Sequence, residues 1–389
     1  MKVINMNKNK IKNMKAKRAL LLIIGVAMMA VAPLMLHAQG TQWTLEKAKA
    51  WYEKQPWIVG VDYVPSTAVN QIEMWQATTF DLPTIDREMK YAHNLGFNTI
   101  RVFLSRLVYN ADAQGYKKRI DQFLSVCQKH DIKVIITFWT NGGKCKNPQL
   151  GVQPDPEPGI HNPGWCMVPG TDYVNNSSKW PELKKMVQDI IGTFKDDQRV
   201  LMWDLYNEPE NLQRGVTSSV PLLRATFKWA REVAPSQPLT APLWSWVGNN
   251  ITSLPEVTFA LENSDIITFH AYDTPESLER YIRQLLPYGR PMICTEFLAR
   301  TMNSTFQGSY PVFKKYGVGA ISFGLVVGKC GFHYVWNKHD ENGKDIPWKE
   351  QPKVWFHDIL YGNGQPYDAQ EVEYIKEQTG ATKVNKNHN

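Results

Sequence analysis

Short apolar runs rich in β-branched and aromatic residues alternate with longer amphipathic stretches along most of the chain. The short runs are typical of buried strands, and the longer stretches, with apolar residues three or four positions apart, are typical of helices. Eight strands are predicted, at residues 57–64, 98–104, 133–139, 200–206, 239–244, 266–271, 292–297 and 319–326. Helices are predicted between them, at residues 85–95, 116–130, 180–195, 220–233, 277–286 and 304–316.

This alternation predicts an α/β fold. Repeated strand and helix units build a parallel sheet, and eight of them close most simply into a (β/α)8 TIM barrel. An open, doubly wound sheet is the alternative, but it needs a glycine-rich phosphate loop after the first strand, where "VDYVPSTAVN" stands instead. No long polar linker, repeat or low-complexity tract divides residues 39–389, so one domain is expected there.

The first 38 residues have the pattern of an export signal. Seven basic residues precede an apolar run at residues 19–36, and Leu-His-Ala ends the segment with small residues suited to cleavage. An uncleaved membrane anchor is the alternative, because the run approaches the ~18 residues of a spanning helix. Pro33 interrupts the run and favours cleavage. We expect a bacterial protein that is periplasmic or secreted, without stable membrane insertion after cleavage.

Removing the signal changes the meaning of the net charge. The whole chain carries +7, and the seven basic residues of the signal, with no acidic residue beside them, account for all of it. A nearly neutral mature chain does not support a basic surface for nucleic acid or anionic lipid, so neither partner is expected. We expect a monomer.

The five cysteines suggest buried thiols and one possible disulfide. Cys127 and Cys294 fall on apolar periodic stretches, as buried thiols do. Cys145 and Cys166 flank a long loop and are placed to pair in an oxidising compartment. No second close pair or histidine cluster accompanies them, so no metal site is expected.

A long connection, residues 140–179, follows the third predicted strand. Connections of this length in compact domains usually carry function or are disordered. In a barrel this one would lie over the face where active sites are built. His161, within it, is predicted to be a surface residue, with a position lining that site as the alternative.

Polar residues stand at or near the carboxyl ends of four predicted strands. They come from the second, fourth, sixth and seventh strands: Arg101, Asn207, Glu208, His270, Tyr272 and Glu296. The carboxyl ends of all barrel strands meet at one face, so these side chains should point into one bowl. Glu210 is also acidic, but it follows a proline and is expected to face outward.

Two carboxylates across such a bowl suit glycoside hydrolysis. One must be protonated to assist the leaving oxygen, and the other ionised to attack carbon or to activate water. A separation of about 5 to 5.5 Å implies a covalent intermediate and retained stereochemistry, whereas roughly 6.5 to 9.5 Å gives inversion. The residue types leave both distances open.

Three motifs carry a specific resemblance. "LYNEP" after the fourth strand and "PMICTEF" through the seventh resemble the acid/base and nucleophile motifs of the retaining barrel glycosidases of clan A. "LGFNTIRVFL" resembles the second strand of glycoside hydrolase family 5, which includes cellulases and mannanases. The similarity runs through nearly the whole mature chain in strand order. It implies a single catalytic domain that hydrolyses β-linked polysaccharide or oligosaccharide without a metal ion or an organic cofactor.

The resemblance also implies roles for the strand-end residues. Glu208 would be the general acid/base, and Glu296 the nucleophile, kept ionised by Arg101. Asn207 would hold the sugar 2-hydroxyl. The sixth-strand pair would orient the nucleophile and line the sugar pocket: His270 and Tyr272.

One position departs from the family pattern. Family members usually carry a tryptophan at the end of the eighth strand, as the floor of the cleaved-sugar site, whereas this chain reads "ISFGLVVGKCGFHYVW". Leu325 or Val326 takes that place unless Trp336 folds back to serve. Nearby Lys329 would either contact an acidic or heavily hydroxylated sugar or be solvated.

Three tryptophans at strand ends are candidate sugar platforms, with burial in the core as the alternative: Trp139, Trp244 and Trp246. Two other functions compete with hydrolysis. A carbohydrate-binding barrel that has lost catalysis would use the same bowl, but it has little use for a buried carboxylate pair. A transglycosylase would pass the sugar to another sugar instead of to water.

Overall fold

The central element of the structure is a sheet of eight parallel strands. The structure is a computed structural model that describes residues 41–145, 147–211, 217–245 and 253–384. The strands are β1 Val59–Asp62, β2 Thr99–Phe103, β3 Lys133–Thr140, β4 Val200–Asn207, β5 Leu239–Thr240, β6 Ile267–His270, β7 Met292–Phe297 and β8 Gly319–Phe323. Each overlaps one of the eight predicted strands.

The sheet curves round into a nearly closed barrel. Its strand order is β5-β4-β3-β2-β1-β8-β7-β6, so β5 and β6 are the two edges. Leu243, just beyond β5, joins them: its N–H donates to the Thr268 carbonyl at 2.9 Å, and the His270 N–H donates to the Leu243 carbonyl at 2.8 Å. The predicted (β/α)8 TIM barrel is therefore confirmed.

Helices surround the barrel. In chain order they are α1 Leu45–Tyr52, α2 Gln71–Trp75, α3 Leu82–Asn94, α4 Arg106–Ala111, α5 Ala113–Lys129, α6 Thr171–Val174, α7 Trp180–Phe194, α8 Val220–Val233, α9 Pro255–Asn263, α10 Pro275–Leu285, α11 Phe306–Tyr316, α12 Ala369–Thr379 and α13 Ala381–Val384. The six predicted helices correspond to α3, α5, α7, α8, α10 and α11.

Helix α3 shows how the sequence sets these elements. Asp81 precedes it, and its side chain accepts a hydrogen bond from the Thr84 N–H at 3.1 Å, which satisfies one of the free donors of the first turn. Ile85, Met89 and Ala92 recur three or four positions apart and are fully buried. The same spacing places one apolar face of each predicted helix against the barrel.

The barrel interior is apolar at one end and charged at the other. An apolar cluster lies toward the amino-terminal ends of the strands, formed by Ala48, Ile58, Ile135, Leu201, Met202, Ile266, Ile293 and Ile321. Buried charged side chains lie nearer the carboxyl-terminal ends, on β1, β2, β4 and β7: Asp62, Arg101, Asp204 and Glu296. Burying charges is costly unless they are paired, so this end of the barrel is where function is expected.

Two long connections stand over the carboxyl-terminal face. The first is residues 141–170, after β3, here called the β3 loop, and the second is residues 324–368, after β8, here called the β8 loop. The signal predicted at residues 1–38 and Trp246 lie outside the described residues. None of the described helices is both long enough and apolar enough to cross a bilayer.

Candidate active site

A cavity of about 490 Å³ opens at the carboxyl-terminal face of the barrel. This is the face on which barrels of this kind build their active sites. Seven residues predicted from sequence line the cavity: Asn207, Glu208, Trp244, His270, Tyr272, Glu296 and Trp336. Arg101 lies at the base of the site, with its side chain fully buried.

Arg101, in β2, holds the floor of the cavity together. Its Nη1 donates to Asp62 Oδ1 at 2.6 Å and to Glu296 Oε1 at 2.9 Å. Its Nε and Nη2 donate to one oxygen of Asp204, at 3.0 and 2.7 Å, and Nη2 also reaches Asn207 Oδ1 at 2.5 Å. A guanidinium presents five N–H donors in a rigid fork, so one side chain fixes carboxylates from three strands.

The two predicted glutamates face each other across the cavity. A carboxylate oxygen of Glu208 and one of Glu296 lie within 4.8 Å of each other. His270 contacts both, with its Nδ1 at 2.7 Å from Glu208 Oε1 and 3.4 Å from Glu296 Oε2. The Tyr272 hydroxyl donates to Glu296 Oε2 at 2.8 Å. The structure therefore brings together the polar strand-end residues that the sequence pattern singled out.

The backbone at the end of β4 turns Glu208 into the cavity. β4 ends at Asn207, and Glu208 has a φ of 48°, in the left-handed region that residues with a Cβ seldom adopt. Pro209 follows and cannot extend the ladder, because it has no N–H. Asn141 Nδ2 donates to the Glu208 carbonyl at 3.2 Å, and Asn211 Nδ2 donates to Oε2 at 2.5 Å. Such strained positions persist where surrounding contacts hold them, most often at functional sites.

Burial raises the pKa of Glu208 and the pKa of Glu296 above the ordinary value for glutamate. The two carboxyls differ in the donors they contact. Glu296 accepts from the Arg101 guanidinium and the Tyr272 hydroxyl, and both favour its ionised form. Glu208 accepts from the neutral amide of Asn211. Because the Arg101 guanidinium donates directly to Glu296, the surroundings favour the ionised form of Glu296 more than that of Glu208.

The same burial shifts the pKa values of two neighbouring groups, His270 and Asp62. Burial lowers the pKa of His270 to about 4, so its imidazole is uncharged at neutral pH. Burial raises the pKa of Asp62 well above its ordinary value. The Arg101 guanidinium beside Asp62 opposes that shift of the pKa, because a positive charge favours the carboxylate.

Asp62 and Asp204 were missed by the sequence reasoning, although a signal was present. Each is a charged residue inside an otherwise apolar strand, and each is buried, with 2% and 0% of its surface exposed. Charges are almost never buried unless they are paired. An aspartate in the middle of a buried strand therefore already indicates a basic partner, here Arg101.

Trp139 lies away from the cavity. Its side chain is fully buried, and its indole Nε1 donates to Thr226 in α8 at 2.8 Å. The prediction for Trp139 assumed that side chains alternate regularly between the two faces of the strand. This alternation breaks near the ends of β3 and β4. Arg101 contacts both Asp204 and Asn207, which are three residues apart and would face opposite ways in a regular strand. The break turns Trp139 toward the helices.

Lys329 also lies away from the cavity. Its Nζ pairs with Glu73 at 2.7 Å, and its backbone N–H donates to the Ser66 carbonyl at 3.0 Å. Both contacts hold the start of the β8 loop to the segment after β1. The predicted sugar contact of Lys329 is replaced by an ion pair within the protein.

Aromatic rings from four segments line the cavity beside the predicted tryptophans: Phe103, Trp165, Phe323 and His357. Leu325 and Val326 are buried and do not line it. At the end of the eighth strand the aromatic surface comes instead from Phe323 and from Trp336, which folds back to meet Tyr272 edge-on at 5.5 Å. Trp244 donates from Nε1 to the Pro209 carbonyl at 2.7 Å, beside Glu208.

Two predictions of surface positions were wrong. Glu210 is buried, and its Oε1 accepts from the backbone N–H groups of Ser219 at 2.6 Å and Val220 at 3.2 Å. It thus satisfies free donors at the start of α8, where a negative charge is favourable. His161 is 7% exposed and lines the cavity, because its Nδ1 is held 2.8 Å from the Tyr334 carbonyl of the β8 loop.

All five cysteines are thiols in the structure, and Cys127 and Cys294 are buried as predicted. Cys145 and Cys166 form a parallel backbone bridge across the β3 loop, and the Cys145 N–H donates to the Trp165 carbonyl at 3.1 Å. Residues bridged in this way are about 4.8 Å apart, within the Cα separation that a disulfide needs. Burial and the neighbouring Cys145 thiol raise the pKa of Cys166.

We expect these two thiols to form a disulfide when the folded protein is incubated with oxidised glutathione. Glutathione disulfide accepts the two electrons and is released as two thiols, while the protein loses two hydrogen atoms. Intact mass should fall by the mass of two hydrogens, and three thiols should remain after denaturation. A Cys166→Ser variant is the control. Five thiols after oxidation of the wild type would contradict the pairing.

Among the described residues, one group of acidic and histidine side chains is close enough to share a metal ion. It consists of Glu208, His270 and Glu296. Arg101 already donates to Glu296 at 2.9 Å. A divalent cation would have to compete with this fixed positive charge for the same carboxylate.

A pair of carboxyl groups facing each other at the carboxyl-terminal mouth of a barrel is the arrangement that glycoside hydrolases of (β/α)8 fold use. The sequence comparison agrees with this class. The family described as cellulase, glycosyl hydrolase family 5, matches residues 63–323. The chain belongs to that family and is a glycosidase. No curated protein sequence matches it.

Several solved structures share the fold. A point variant of GH5_18 from Streptomyces cattleya, in complex with Manb1-4GlcNAc, is 11% identical over 85% of this chain and 81% of its own, with a TM-score of 0.56. An endo-beta-1,4-mannanase from Thermotoga petrophila is 14% identical over 85% and 77%, with a TM-score of 0.55. An exo-beta-1,4-mannosidase from Opitutaceae bacterium strain TAV5 is 14% identical over 85% and 60%, with a TM-score of 0.56.

Proposed function

We propose that this chain is a retaining β-glycosidase that hydrolyses a β-linked oligosaccharide or polysaccharide by double displacement. The observation that carries the proposal is the separation of the two glutamates, whose nearest oxygens lie within 4.8 Å. In retaining enzymes the two carboxyl groups are about 5 to 5.5 Å apart, and one of them attacks the sugar directly. In inverting enzymes they are roughly 6.5 to 9.5 Å apart, which leaves room for a water molecule between the carboxylate and the sugar. Glu208 and Glu296 are on the short side of that division.

In the first step Glu296 is the nucleophile. Its carboxylate oxygen bonds to the anomeric carbon while the bond to the glycosidic oxygen breaks. Glu208 gives its proton to that oxygen, so the leaving sugar departs as an alcohol. The donors around Glu296 support this assignment, because Arg101 and Tyr272 each hold one of its oxygens and fix the direction of attack.

In the second step Glu208, now ionised, takes a proton from water. The water oxygen bonds to the anomeric carbon, and Glu296 leaves as a carboxylate. Asn207 lines the cavity beside Glu208 and has its carbonyl oxygen fixed by Arg101, so its amide N–H groups face Thr140 and the sugar site. This arrangement suits a hydrogen bond to the sugar 2-hydroxyl that strengthens in the transition state.

β-1,4-Mannosides are the first substrates to examine, since the names of several structures with the same fold report mannanase or mannosidase activity. The sequence of residues 1–38 favours action after export, in the periplasm or outside the cell.

The stereochemical outcome tests the mechanism. We expect the first product released from an aryl β-mannoside or aryl β-glucoside to be the β-anomer, because two successive inversions restore the starting configuration. Proton NMR in the first minutes, before the anomers equilibrate, distinguishes the two. If the first product is the α-anomer, the mechanism is inverting and Glu296 is not a nucleophile. Glycan affinity by calorimetry without any released sugar would favour a binding barrel.

A further inference from the structure

The cavity has two sides, and the acid/base defines them. In the proposed mechanism Glu208 protonates the leaving oxygen, so the departing part of the substrate lies on the β4 side. Trp244 lines the same side, anchored to the Pro209 carbonyl at 2.7 Å. β4 and β8 are four strands apart in an eight-stranded barrel and so stand on opposite sides of its mouth. The non-reducing end of the substrate therefore points toward β8.

On that β8 side, the β3 loop and the β8 loop are joined to each other. The His161 N–H donates to Asn337 Oδ1 at 2.8 Å, and the His161 ring lies 2.8 Å from the Tyr334 carbonyl. The Asn162 N–H donates to the Cys330 carbonyl at 2.8 Å. These contacts cross from one loop to the other, so the two loops form one continuous wall.

A second set of contacts stiffens the wall. Asn337, which is 8% exposed, donates from Nδ2 to the Gly159 carbonyl at 2.9 Å and to the Ile346 carbonyl at 3.0 Å. Lys144 pairs with Asp345 at 2.9 Å across the two loops. A buried amide that uses both its oxygen and its nitrogen cannot move without losing several hydrogen bonds together.

The segment after β1 closes the remaining gap. Asn70 donates to Gln153 of the β3 loop at 2.9 Å, and Gln71 donates to the Cys166 carbonyl at 3.1 Å. The β3 loop therefore passes over the mouths of β2 and β1 before it reaches the β8 loop. A second cavity, of about 790 Å³, is lined mainly by residues of these two loops and shares Gly143 and Lys144 with the first.

The wall stands directly beside the reacting sugar. Tyr272, which holds Glu296, is in ring contact with Trp336 at 5.5 Å and with His357 at 5.4 Å, and both belong to the β8 loop. These rings touch the side chain that positions the nucleophile, so the wall begins immediately beside the place of the reacting sugar.

We propose that the enzyme is exo-acting and removes one sugar at a time from the non-reducing end, because the joined β3 and β8 loops close the glycone side of the cavity after a single subsite. This inference rests on the proposed glycosidase function and its assignment of Glu208. The leaving part of the substrate, on the open β4 side, is free to be longer.

The product pattern tests the proposal with the wild-type enzyme. β-1,4-Mannopentaose and cellopentaose, each reduced at the reducing end, are followed by chromatography from the first per cent of conversion. We expect a monosaccharide and a chain shorter by one unit to appear first, and the viscosity of the matching polymer to stay unchanged. Release of two or more sugars together from the non-reducing end, as an unreduced disaccharide or longer fragment, would overturn the wall while leaving the glycosidase function intact.

A binding measurement tests the closed glycone side independently of the proposed glycosidase activity. With the Glu296→Gln variant, we expect a pentaose methylated at its non-reducing O4 to bind at least tenfold more weakly than the unmodified pentaose in calorimetry, because the methyl group meets the wall. Equal affinity would reject a closed glycone side whatever the enzyme hydrolyses.

A variant that weakens the contacts between the β3 loop and the β8 loop tests whether these contacts close the site. Asn337 does not itself line the cavity, and Asn337→Ala removes its hydrogen bonds to the backbone of Gly159, His161 and Ile346. We therefore expect internal cleavage products to appear while turnover of an aryl glycoside stays within about twofold of the wild type. Asn342→Ala, on an exposed part of the same loop, is the control and should keep the exo pattern. An unchanged pattern in a folded Asn337→Ala variant would count against the role of these hydrogen bonds in closing the site.

Discussion

Replacing Glu296 by glutamine is expected to lower kcat by a factor of about 10⁴ or more, which corresponds to about 5 kcal/mol of lost transition-state stabilisation. The amide keeps the shape of the carboxylate, but it cannot form the ester bond to the anomeric carbon. Arg101 retains Asp62 and Asp204 as partners, so little of the stability should be lost. Steady-state kinetics on an aryl β-glycoside and thermal unfolding measure the two effects separately.

Glu73→Gln is the matched control, because it also neutralises a buried glutamate. Glu73 is 8% exposed, pairs with Lys329 and lies outside the cavity lining. We expect its loss to lower the unfolding temperature and to leave kcat within about twofold of the wild type. Full turnover by a folded Glu296→Gln variant would falsify the nucleophile assignment.

The fold was predictable because its signal is periodic. Strand and helix patterns alternate along the chain, and all eight predicted strands appear in the structure with boundaries shifted by a few residues at most. The largest error was at β5, predicted to reach residue 244 but ending at Thr240. Pro242 explains it, since proline has no N–H to donate to the neighbouring strand. Beyond the proline, Leu243 forms an isolated bridge to Phe269 of β6.

Much of the site was predictable for a geometrical reason. The carboxyl ends of parallel strands meet at one face, so polar residues at strand ends are neighbours in space even when they are far apart in the chain. Arg101 and Glu296 are 195 residues apart and in contact. The same argument placed Asn207, Glu208 and His270 in the cavity without any knowledge of the helices or loops.

The loop contributions were not predictable, because loops carry no periodic signal. His161 and Asn337 are 176 residues apart in two connections that lack regular structure. Nothing in the spacing of either segment indicates that they meet, and His161 was assigned to the surface for that reason. The misplacement of Trp139 has a different cause, since its strand was predicted correctly and only the alternation near its end failed. Residues that contact the ends of the substrate are thus harder to predict than residues at the anomeric carbon.

The shared floor links fold and chemistry through one side chain. Arg101 contacts carboxylates from β1, β4 and β7, so it fixes the relative positions of those strands and also the nucleophile. Replacing Arg101 would leave three buried carboxyl groups without the partner that they share, and uncompensated buried charges are strongly destabilising. Substitutions of Arg101 therefore cannot separate catalysis from folding, and the two glutamates are the residues on which the mechanism can be tested cleanly.

Replacing Glu208 by alanine is expected to affect substrates according to their leaving groups. For a β-linked disaccharide, whose leaving oxygen needs a proton, kcat/KM should fall by about 10² to 10⁴. For a dinitrophenyl glycoside, which leaves without protonation, kcat/KM should change little, since this ratio reports the first step alone. Comparing the two substrates on one preparation measures the effect, and equal losses on both would exclude Glu208 as the acid.

The pH dependence of kcat/KM is an independent test of Glu208 as the acid. The acid must hold its proton, and burial raises the pKa of Glu208, so wild-type kcat/KM on the disaccharide should fall as pH rises through that raised value. On the dinitrophenyl glycoside, whose leaving group needs no proton, this fall should be absent in the wild type and in Glu208→Ala alike. Glu210→Gln is the neighbouring control: Glu210 holds the start of α8 and lies outside the cavity, so its loss should lower stability and keep the alkaline limb. If the alkaline fall of kcat/KM is lost in Glu210→Gln and kept in Glu208→Ala, Glu210 is the acid instead of Glu208.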